Sequence, residues 1–206
     1  MQTYYEEDLL EAGIDEVARG CLAGPVYTAA VVWPKELDES ENHPILQDSK
    51  QLSARRRLIL KDYIEETALD FSVASSDAQD IDKHNILQST FRTMHKAIDN
   101  LNIDVDFILV DGTSFKPYYT RNNDLIPHKC FIKGDSKFAA ISAASILAKV
   151  YHDQYIEKLC DENPDLEKYG WRNNMCYGTA EHINAIKENG ITPYHRKTFG
   201  ICKEYV

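Results

Sequence analysis

The sequence contains no run of about 18 or more apolar residues, and this absence excludes a transmembrane helix. Its first residues, Met-Gln-Thr-Tyr-Tyr-Glu-Glu-Asp, lack the basic and apolar regions of a signal peptide. The five cysteines are widely scattered and form no C-x-x-C pair, which argues against a zinc site or a disulfide framework. We therefore expect a cytoplasmic protein that does not bind a membrane.

Positive charge is also scarce. Over 206 residues, 23 Lys and Arg stand against 33 Asp and Glu, which gives a formal net charge of −10. This excess of acid argues against nucleic acid as a partner. However, the charge is unevenly distributed, because residues 1–128 carry −11 and residues 129–206 carry +1. A surface that binds a polyanion must therefore be local and lie mainly in the last third of the chain.

The length and a hydrophobic content of 43% are typical of one large globular domain. Runs rich in β-branched, aromatic or apolar residues predict strands at 9–16, 26–33, 69–74, 106–111 and 128–132. Periodicity and capping residues predict helices at 53–67, with Ser53 as N-cap, and at 80–101, 138–163 and 180–188. The first helix is predicted to present an apolar face of Leu58, Ile59, Tyr63 and Ile64. Residues 118–127 are expected to form a polar loop.

The segment Ala12–Val26 organises the rest of the chain. Asp15 and Glu16 close a short apolar run, and Arg19-Gly20 and Gly24-Pro25 follow them. A strand delivers two carboxylates to a site in this way, although an acidic pair at a solvated strand end is the alternative. Neighbouring strand residues point to opposite faces. Both acids therefore reach one site only if the strand distorts or if Glu16 approaches from its end.

Two further acids stand at the ends of predicted elements. Asp111 follows a continuous apolar run, as at the end of a buried strand, although Asp-Gly is also a turn signal. Asp135 precedes a helix whose first turns are rich in small residues, and it is either an N-cap or another site carboxylate. Small residues on this helix would let it lie very close to a sheet. Asp153 lies about 27 Å beyond Asp135 along a continuous helix and is excluded from the same site.

Separated acids without a Cys/His pattern indicate hard divalent ions such as Mg²⁺ or Mn²⁺. Two such ions, about 3.5–4 Å apart, are a common device for phosphodiester hydrolysis. Near the C-terminus, aromatic residues alternate with Arg172, His195, Arg196 and Lys197. This pattern predicts a nucleic-acid face that acts by stacking and phosphate contact, or else an aromatic-rich packing appendage.

An ordered set of motifs covers nearly the whole chain: Gly13-Ile-Asp-Glu-x-x-Arg-Gly20 with Leu22-Ala-Gly-Pro25, Asp48-Ser-Lys-x-Leu52, Val110-Asp-Gly112, Lys133-Gly-Asp135, Ser142-Ala-Ala-Ser-Ile-Leu-Ala-Lys149 with Asp153, Tyr177-Gly-Thr179 and His195-Arg-x-Thr-Phe199. In this order they resemble bacterial ribonuclease HII, the type 2 ribonuclease H. The resemblance implies an α/β fold, an RNase H-like mixed β-sheet flanked by helices with a helical C-terminal segment. It implies a catalytic domain at 1–160 and a substrate-binding segment at 161–206 packed on that domain.

The resemblance further implies an endonuclease that cuts the RNA strand of RNA–DNA hybrids. It would also cut 5′ of single ribonucleotides embedded in duplex DNA, as in ribonucleotide excision repair, leaving a 3′-hydroxyl and a 5′-phosphate. The residues that match the family's four metal-binding acids are Asp15, Glu16, Asp111 and Asp135, which would hold two Mg²⁺ or Mn²⁺ ions. The residues that match substrate contacts are Ala18, Arg19, Gly20 and Tyr177, which read the ribose 2′-hydroxyl, and Lys50 at a phosphate. A monomer is expected, with a replication clamp as a candidate partner.

Two positions depart from the family pattern. Ala18 replaces the first glycine of a Gly-Arg-Gly loop, at a cost of about 1 kcal/mol or more if that position needs a positive φ, and at little cost if the glycine only provided space. Asn174-Met175-Cys176 replaces the usual His-Lys-Gly. This removes basic character beside Tyr177 and is expected to weaken affinity for the substrate or to change preference.

Three alternatives are weighed against this reading. Ribonuclease HIII usually carries an extra N-terminal domain, whereas this chain begins almost directly at the catalytic strand. A second alternative is another RNase H-like nuclease, such as a resolvase or transposase core, which a substrate test separates. The third is a nucleic-acid-binding module that has lost catalysis, and the four intact acids speak against it.

Overall fold

The computed structural model describes residues 1–37, 43–46 and 52–206. Its strands are β1 (Glu11–Val17), β2 (Val26–Val32), β3 (Asp70–Ser76), β4 (Phe107–Asp111), β5 (Tyr118–Tyr119), β6 (Leu125–Ile126) and β7 (His128–Phe131). Its helices are α1 (Ala54–Thr67), α2 (Ala78–His84), α3 (Ile86–Asp99), α4 (Ala139–Glu162), α5 (Trp171–Asn174) and α6 (Ala180–Asn189). No helix within the described ranges is long and apolar enough to cross a bilayer. Lys50, the predicted phosphate contact, lies outside the described residues.

The main sheet is mixed, as predicted, with β1 at its centre. Its strand order is β3-β2-β1-β4-β7, with antiparallel pairing of β1 to β2 and of β2 to β3. By contrast, β4 runs parallel to β1 on one side and to β7 on the other. Because Ile14 lies opposite Val110, the C-terminal ends of β1 and β4 meet at the same edge of the sheet.

Successive residues of β1 alternate between two hydrophobic layers, as expected for a strand buried on both faces. Ala12 and Ile14 pack in the layer that contains Met94 of α3. Gly13 lies on the opposite face, against Ala140 of α4. The sheet is therefore covered by α3 on one side and by α4 on the other.

The contact between β1 and α4 is backbone against backbone. A Cβ atom added at Gly13 would lie 2.3 Å from the carbonyl carbon of Ala140 and 2.4 Å from the amide nitrogen of Ile141. The small residues at the start of α4, among them Ala143 and Ala144, are fully buried and permit this approach. The expectation that small residues bring this helix close to the sheet is confirmed.

The predicted helix at 80–101 is wrong, because two helices occupy the region. Asn85, at φ 62°, is both the C-cap of α2 and the N-cap of α3, and its side chain accepts a hydrogen bond from the Gln88 N–H. Asparagine tolerates a positive φ and caps helices well, so it breaks an otherwise continuous apolar pattern.

Two smaller expectations also need correction. In α1, Leu58 and Ile59 are 45% and 47% exposed, whereas Leu60 and Ile64 are fully buried. The predicted loop at 118–127 contains the short β5–β6 pair, and the Tyr118 hydroxyl donates to Asp99. By contrast, the predicted N-cap at Ser53 is confirmed, since its side chain accepts from the Arg56 N–H.

Replacing Gly13 with alanine should destabilise the fold severely. The new methyl group would collide with main-chain atoms of α4, which cannot rotate away as a side chain can. We expect the free energy of unfolding, measured by urea denaturation, to fall by about 3 kcal/mol or more. The matched control is Gly20→Ala, where the nearest atom to the new Cβ lies 4.0 Å away. Equal stability of the two variants would contradict the proposed backbone contact.

Candidate active site

Asp15 lies at the end of the central strand and is buried against α4. Its side chain accepts a hydrogen bond from the Glu16 N–H at 2.7 Å and another from the Ser145 side chain. Ser145 stands on α4 just beyond the helix turns that contact Gly13. The close packing of helix on strand therefore fixes the orientation of the Asp15 carboxylate.

Burial raises the pKa of Asp15 well above its ordinary value, and the charges of Glu16 and Asp111 raise it further. The hydrogen bond from Ser145 acts in the opposite direction but does not cancel these effects. Three carboxylates are thus close enough to repel one another at this edge of the sheet. A cation bound among them would relieve that repulsion.

Glu16 reaches the same edge from the other face of the strand. It lines a cleft of about 130 Å³ together with Arg19, Asp111 and residues of α3. Its Oε1 also accepts a hydrogen bond from Arg19 Nη1 at 3.1 Å, so the acid is paired with the loop that follows β1. The end of the strand is where two neighbouring acids can serve one site without distortion of the ladder.

Asp111 and Asp135 are joined through one backbone group. The Gly134 N–H donates to Asp111 Oδ1 at 2.7 Å, and Asp135 is the next residue, itself buried. A Cβ at Gly134 would lie 2.7 Å from Ile141 Cδ1 and 3.3 Å from Asp111 Oδ1, so a larger residue would have to displace the Ile141 side chain and press on the Asp111 carboxylate. The N-cap of α4 is Phe138, so the alternative reading of Asp135 as that cap is wrong.

The cluster of carboxylates fits a hard divalent cation whose coordination shell is supplied only partly by protein side chains. Within the described ranges, no three His, Cys, Asp or Glu side chains form a group able to hold a metal by themselves. Magnesium keeps several waters and is usually bound through one or two carboxylates plus substrate phosphates. Crowded carboxylate oxygens beside a cleft at this edge of the sheet meet that description.

The loop after β1 contains Ala18, the position for which the sequence alone did not decide whether a positive φ is needed. Ala18 is buried at φ 70°, so this position does need a left-handed backbone. Met175 and Cys176, at φ 45° and 66°, adopt the same region across from it. Each such non-glycine residue lowers the stability of the fold by about 1–2 kcal/mol, and the surrounding packing must offset this loss.

Tyr177 lies against this loop. Cys21 forms a β-bridge with Tyr177, and the Tyr177 ring lies 4.0 Å from where a Gly20 Cβ would stand. Burial raises the pKa of Tyr177 to about 12, while a hydrogen bond with the Ala18 backbone opposes the shift. The hydroxyl therefore keeps its proton at neutral pH, and the side chain is still 38% exposed.

The predicted nucleic-acid face near the C-terminus is wrong for two of its residues. His195 and Arg196 are fully buried, so neither can stack on a base or touch a phosphate. Arg172 is paired with Glu167 and with Asp161. Residue type suggested contact with nucleic acid, but the sequence could not show which way these side chains point.

Sequence reasoning treated α4 as a packing helix and missed its polar stripe. Ser145, Lys149 and Asp153 follow one another at four-residue spacing and so share one face. Lys149 Nζ binds Asp153 Oδ1 at 2.8 Å and lies 6.0 Å from the centre of the Tyr177 ring. The spacing was the available signal. Asp153 serves to hold Lys149, in keeping with its exclusion from the acid cluster.

Removing the Asp15 charge should stabilise the metal-free protein. Because the folded pKa is raised, stability declines as pH rises from the ordinary value of 3.8 toward the folded one. Asp15→Asn should therefore increase the free energy of unfolding at pH 7 in chelator by about 1 kcal/mol or more. The difference in the free energy of unfolding between Asp15→Asn and the wild type should become smaller near pH 4, as measured by urea titration. Asp106→Asn, at the exposed start of β4, is the control, and a less stable Asp15→Asn at pH 7 would contradict the account.

Comparison with known proteins identifies the fold and the family. The family model described as Ribonuclease HII matches residues 12–202. Ribonuclease HII of Christiangramia forsetii is 46% identical over 204 residues, which are 99% of this chain and 97% of that relative. Ribonuclease HII of Bacteroides thetaiotaomicron is 45% identical over 198 residues, 96% of this chain and 93% of that relative.

Solved structures share the fold at lower identity. Ribonuclease H2 from Pyrococcus horikoshii has a TM-score of 0.76 at 24% identity, covering 95% of this chain and 96% of its own. RNase HII in the PCNA:RNase HII complex from Archaeoglobus fulgidus has a TM-score of 0.70 at 23% identity, covering 94% and 96%. Bst-RNase HIII in complex with Mn²⁺ has a TM-score of 0.59 at 21% identity, covering 88% of this chain and 63% of its own. By its sequence over nearly its whole length, this chain belongs to the ribonuclease HII family of nucleases.

Proposed function

We propose that this chain is a metal-dependent endoribonuclease that cuts RNA in RNA–DNA hybrids and cuts 5′ of single ribonucleotides embedded in duplex DNA. The observation that carries the proposal is the meeting of Asp15, Glu16 and Asp111 at one edge of the sheet. Family membership supports ribonuclease H activity, and the acid cluster supplies a site for it. The products are a 3′-hydroxyl and a 5′-phosphate.

Asp15, Glu16, Asp111 and Asp135 are the residues that would hold two Mg²⁺ or Mn²⁺ ions. When bound, such ions supply a lowered pKa for the attacking water and charge stabilisation at the leaving oxygen. The chain itself orients the ligands, because Ser145 holds Asp15 and the Gly134 N–H holds Asp111. It also concentrates negative charge that only cations can offset.

Recognition of the ribonucleotide is assigned to the loop of Ala18, Arg19 and Gly20 and to Tyr177. Arg19, Gly20 and Tyr177 are exposed, and the Tyr177 ring lies against Gly20 beside the acid edge. A protonated tyrosine hydroxyl can donate to, or accept from, a ribose 2′-hydroxyl, the group that tells RNA from DNA. The segment 161–206 would thus contribute substrate contact through Tyr177.

Two broader parts of the proposal concern the cellular setting. A replication clamp is included as a candidate partner, in line with the archaeal relative that was solved with PCNA. Titration of the purified chain with the sliding clamp of its own organism checks that contact. Cytoplasmic localisation belongs to the same proposal, because the substrate would be a ribonucleotide embedded in chromosomal DNA, which lies in the bacterial cytoplasm.

A gel assay with three substrates tests the activity. The substrates are duplex DNA with one ribonucleotide, a long RNA–DNA hybrid and all-DNA duplex, each with Mg²⁺, with Mn²⁺ and with chelator. We expect metal-dependent cleavage on the 5′ side of the single ribonucleotide and within the RNA strand of the hybrid. We expect no cleavage of the all-DNA duplex. Cleavage of the long hybrid alone would contradict the proposed cleavage at single embedded ribonucleotides and would favour a nuclease similar to ribonuclease HIII. Binding without any cleavage would favour a nucleic-acid-binding module.

Asp111→Asn should abolish cleavage and leave folding and hybrid binding nearly unchanged. The amide oxygen can still accept the Gly134 N–H, but the variant loses the charge that would hold the metal. We expect turnover to fall at least about 100-fold, since metal ligands are required for the reaction. Asp106→Asn makes the same change at the exposed residue that precedes β4 and should retain wild-type turnover. Near-normal activity of Asp111→Asn would refute the metal-site assignment.

Tyr177→Ala should reduce cleavage at an embedded ribonucleotide more than cleavage of a long hybrid. A single 2′-hydroxyl gives the enzyme one chance to recognise RNA, whereas a hybrid offers many. Loss of one such contact predicts about a tenfold fall in kcat/KM on the single-ribonucleotide duplex. Tyr119→Ala, at an exposed tyrosine in β5, controls for nonspecific effects. Equal losses on both substrates, or gross unfolding, would contradict the assigned role.

A further inference from the structure

Arg196 is a fully buried arginine whose guanidinium lies over the Phe199 ring. Among the described residues, its side chain donates hydrogen bonds only to main-chain oxygens of the loop after β1. Its Nη2, Nη1 and Nε donate to the carbonyl oxygens of Ala18, Arg19 and Gly24 at 2.8, 3.0 and 3.0 Å. Its side chain has 0% exposure, and among the described residues no ion pair includes it. A buried charge without a paired carboxylate is costly, and the three hydrogen bonds to main-chain oxygens offset part of that cost.

These hydrogen bonds determine which way the loop presents its amides. In a trans peptide the C=O and the following N–H point in opposite directions. Because the Ala18 and Arg19 carbonyls point inward to Arg196, the N–H groups of Arg19 and Gly20 point outward. Within the described part of the chain neither N–H donates a hydrogen bond, and both residues are exposed. Two adjacent free amides of this kind suit an oxygen-rich ligand.

The residue before Arg196 connects the same segment to Tyr177. The Thr192 N–H donates to His195 Nδ1 at 2.9 Å, so the His195 proton is on Nε2 and is directed at His182 Nε2, 3.1 Å away. His182 in turn donates from Nδ1 to the Tyr177 carbonyl at 3.0 Å. His182 Nε2 also accepts the Trp171 Nε1–H at 3.0 Å, so two donors share this nitrogen. This arrangement keeps both imidazoles neutral, in agreement with the pKa of His195, which burial lowers to about 3.

We propose that Arg196 is a positioning residue for ribonucleotide selectivity, which holds the Ala18–Gly20 loop from beneath while His195 and His182 hold Tyr177. Arg196 touches no substrate. It sets the outward direction of two amides, and its neighbour His195 acts through His182, which holds the main-chain carbonyl of Tyr177. This inference rests on the proposed function, and it adds the buried residue that fixes the relative geometry of the two recognition elements.

Arg196→Lys tests the proposal, because lysine keeps the charge but cannot direct three donors at three carbonyls. We expect the ratio of kcat/KM on the single-ribonucleotide duplex to kcat/KM on the long hybrid to fall about tenfold. The Mg²⁺ concentration for half-maximal activity should not change, since the acid cluster is untouched, whereas general damage to the fold would shift it. Arg121→Lys, at an exposed arginine between β5 and β6, should keep the wild-type ratio.

The outcomes separate this inference from the proposed function. A wild-type protein inactive on both substrates would overturn both. An active wild type with a folded Arg196→Lys variant of unchanged ratio would overturn only the role of Arg196. If the variant does not fold, a crystal structure of the wild type with a ribonucleotide-containing duplex decides. Arg196 bound to the three carbonyls, with the Arg19 and Gly20 amides facing the ribose, would support the proposal, and amides turned elsewhere would refute it.

Discussion

The backbone contact between Gly13 of β1 and Ala140 of α4 is the constraint on which the rest of the structure depends. No side chain larger than hydrogen fits at Gly13, so the helix lies directly on the central strand. The short distance between α4 and β1 decides which residues of the next turns of α4 meet the end of β1. Ser145 reaches Asp15 as a result, and Lys149, one turn later, lies near Tyr177. A packing requirement in the core therefore aligns the site.

The acid cluster works against the stability of the fold that supports it. Burial and neighbouring charge raise the pKa of Asp15, so an ionised Asp15 destabilises the metal-free protein at neutral pH. Hydrogen bonds from Ser145 and from the Gly134 N–H orient the carboxylates without removing their repulsion. The same electrostatic conflict that costs stability creates affinity for a divalent cation. Stored strain at Ala18 and Cys176 is a second local cost beside the site.

The sequence predicted most strands and helices, because periodicity and caps are local signals. It also placed the acids at element ends, and Asp15, Glu16 and Asp111 do meet. Side-chain direction was not predictable in the same way. Leu58 and Ile59 carried an apolar pattern yet are exposed, and Arg196 carried a charge yet is buried, because tertiary packing decides both. Asn85 broke a helix that the apolar pattern alone would have continued.

A crystal structure with Mn²⁺ and an uncleavable RNA–DNA hybrid would show whether the acid cluster binds the metal, since anomalous scattering locates the metal without reference to activity. We predict Mn²⁺ at the carboxylates of Asp15 and Asp111, with a substrate phosphate and water completing its coordination shell. Mn²⁺ bound elsewhere, with the Asp15 edge empty, would contradict the metal site assigned to these acids.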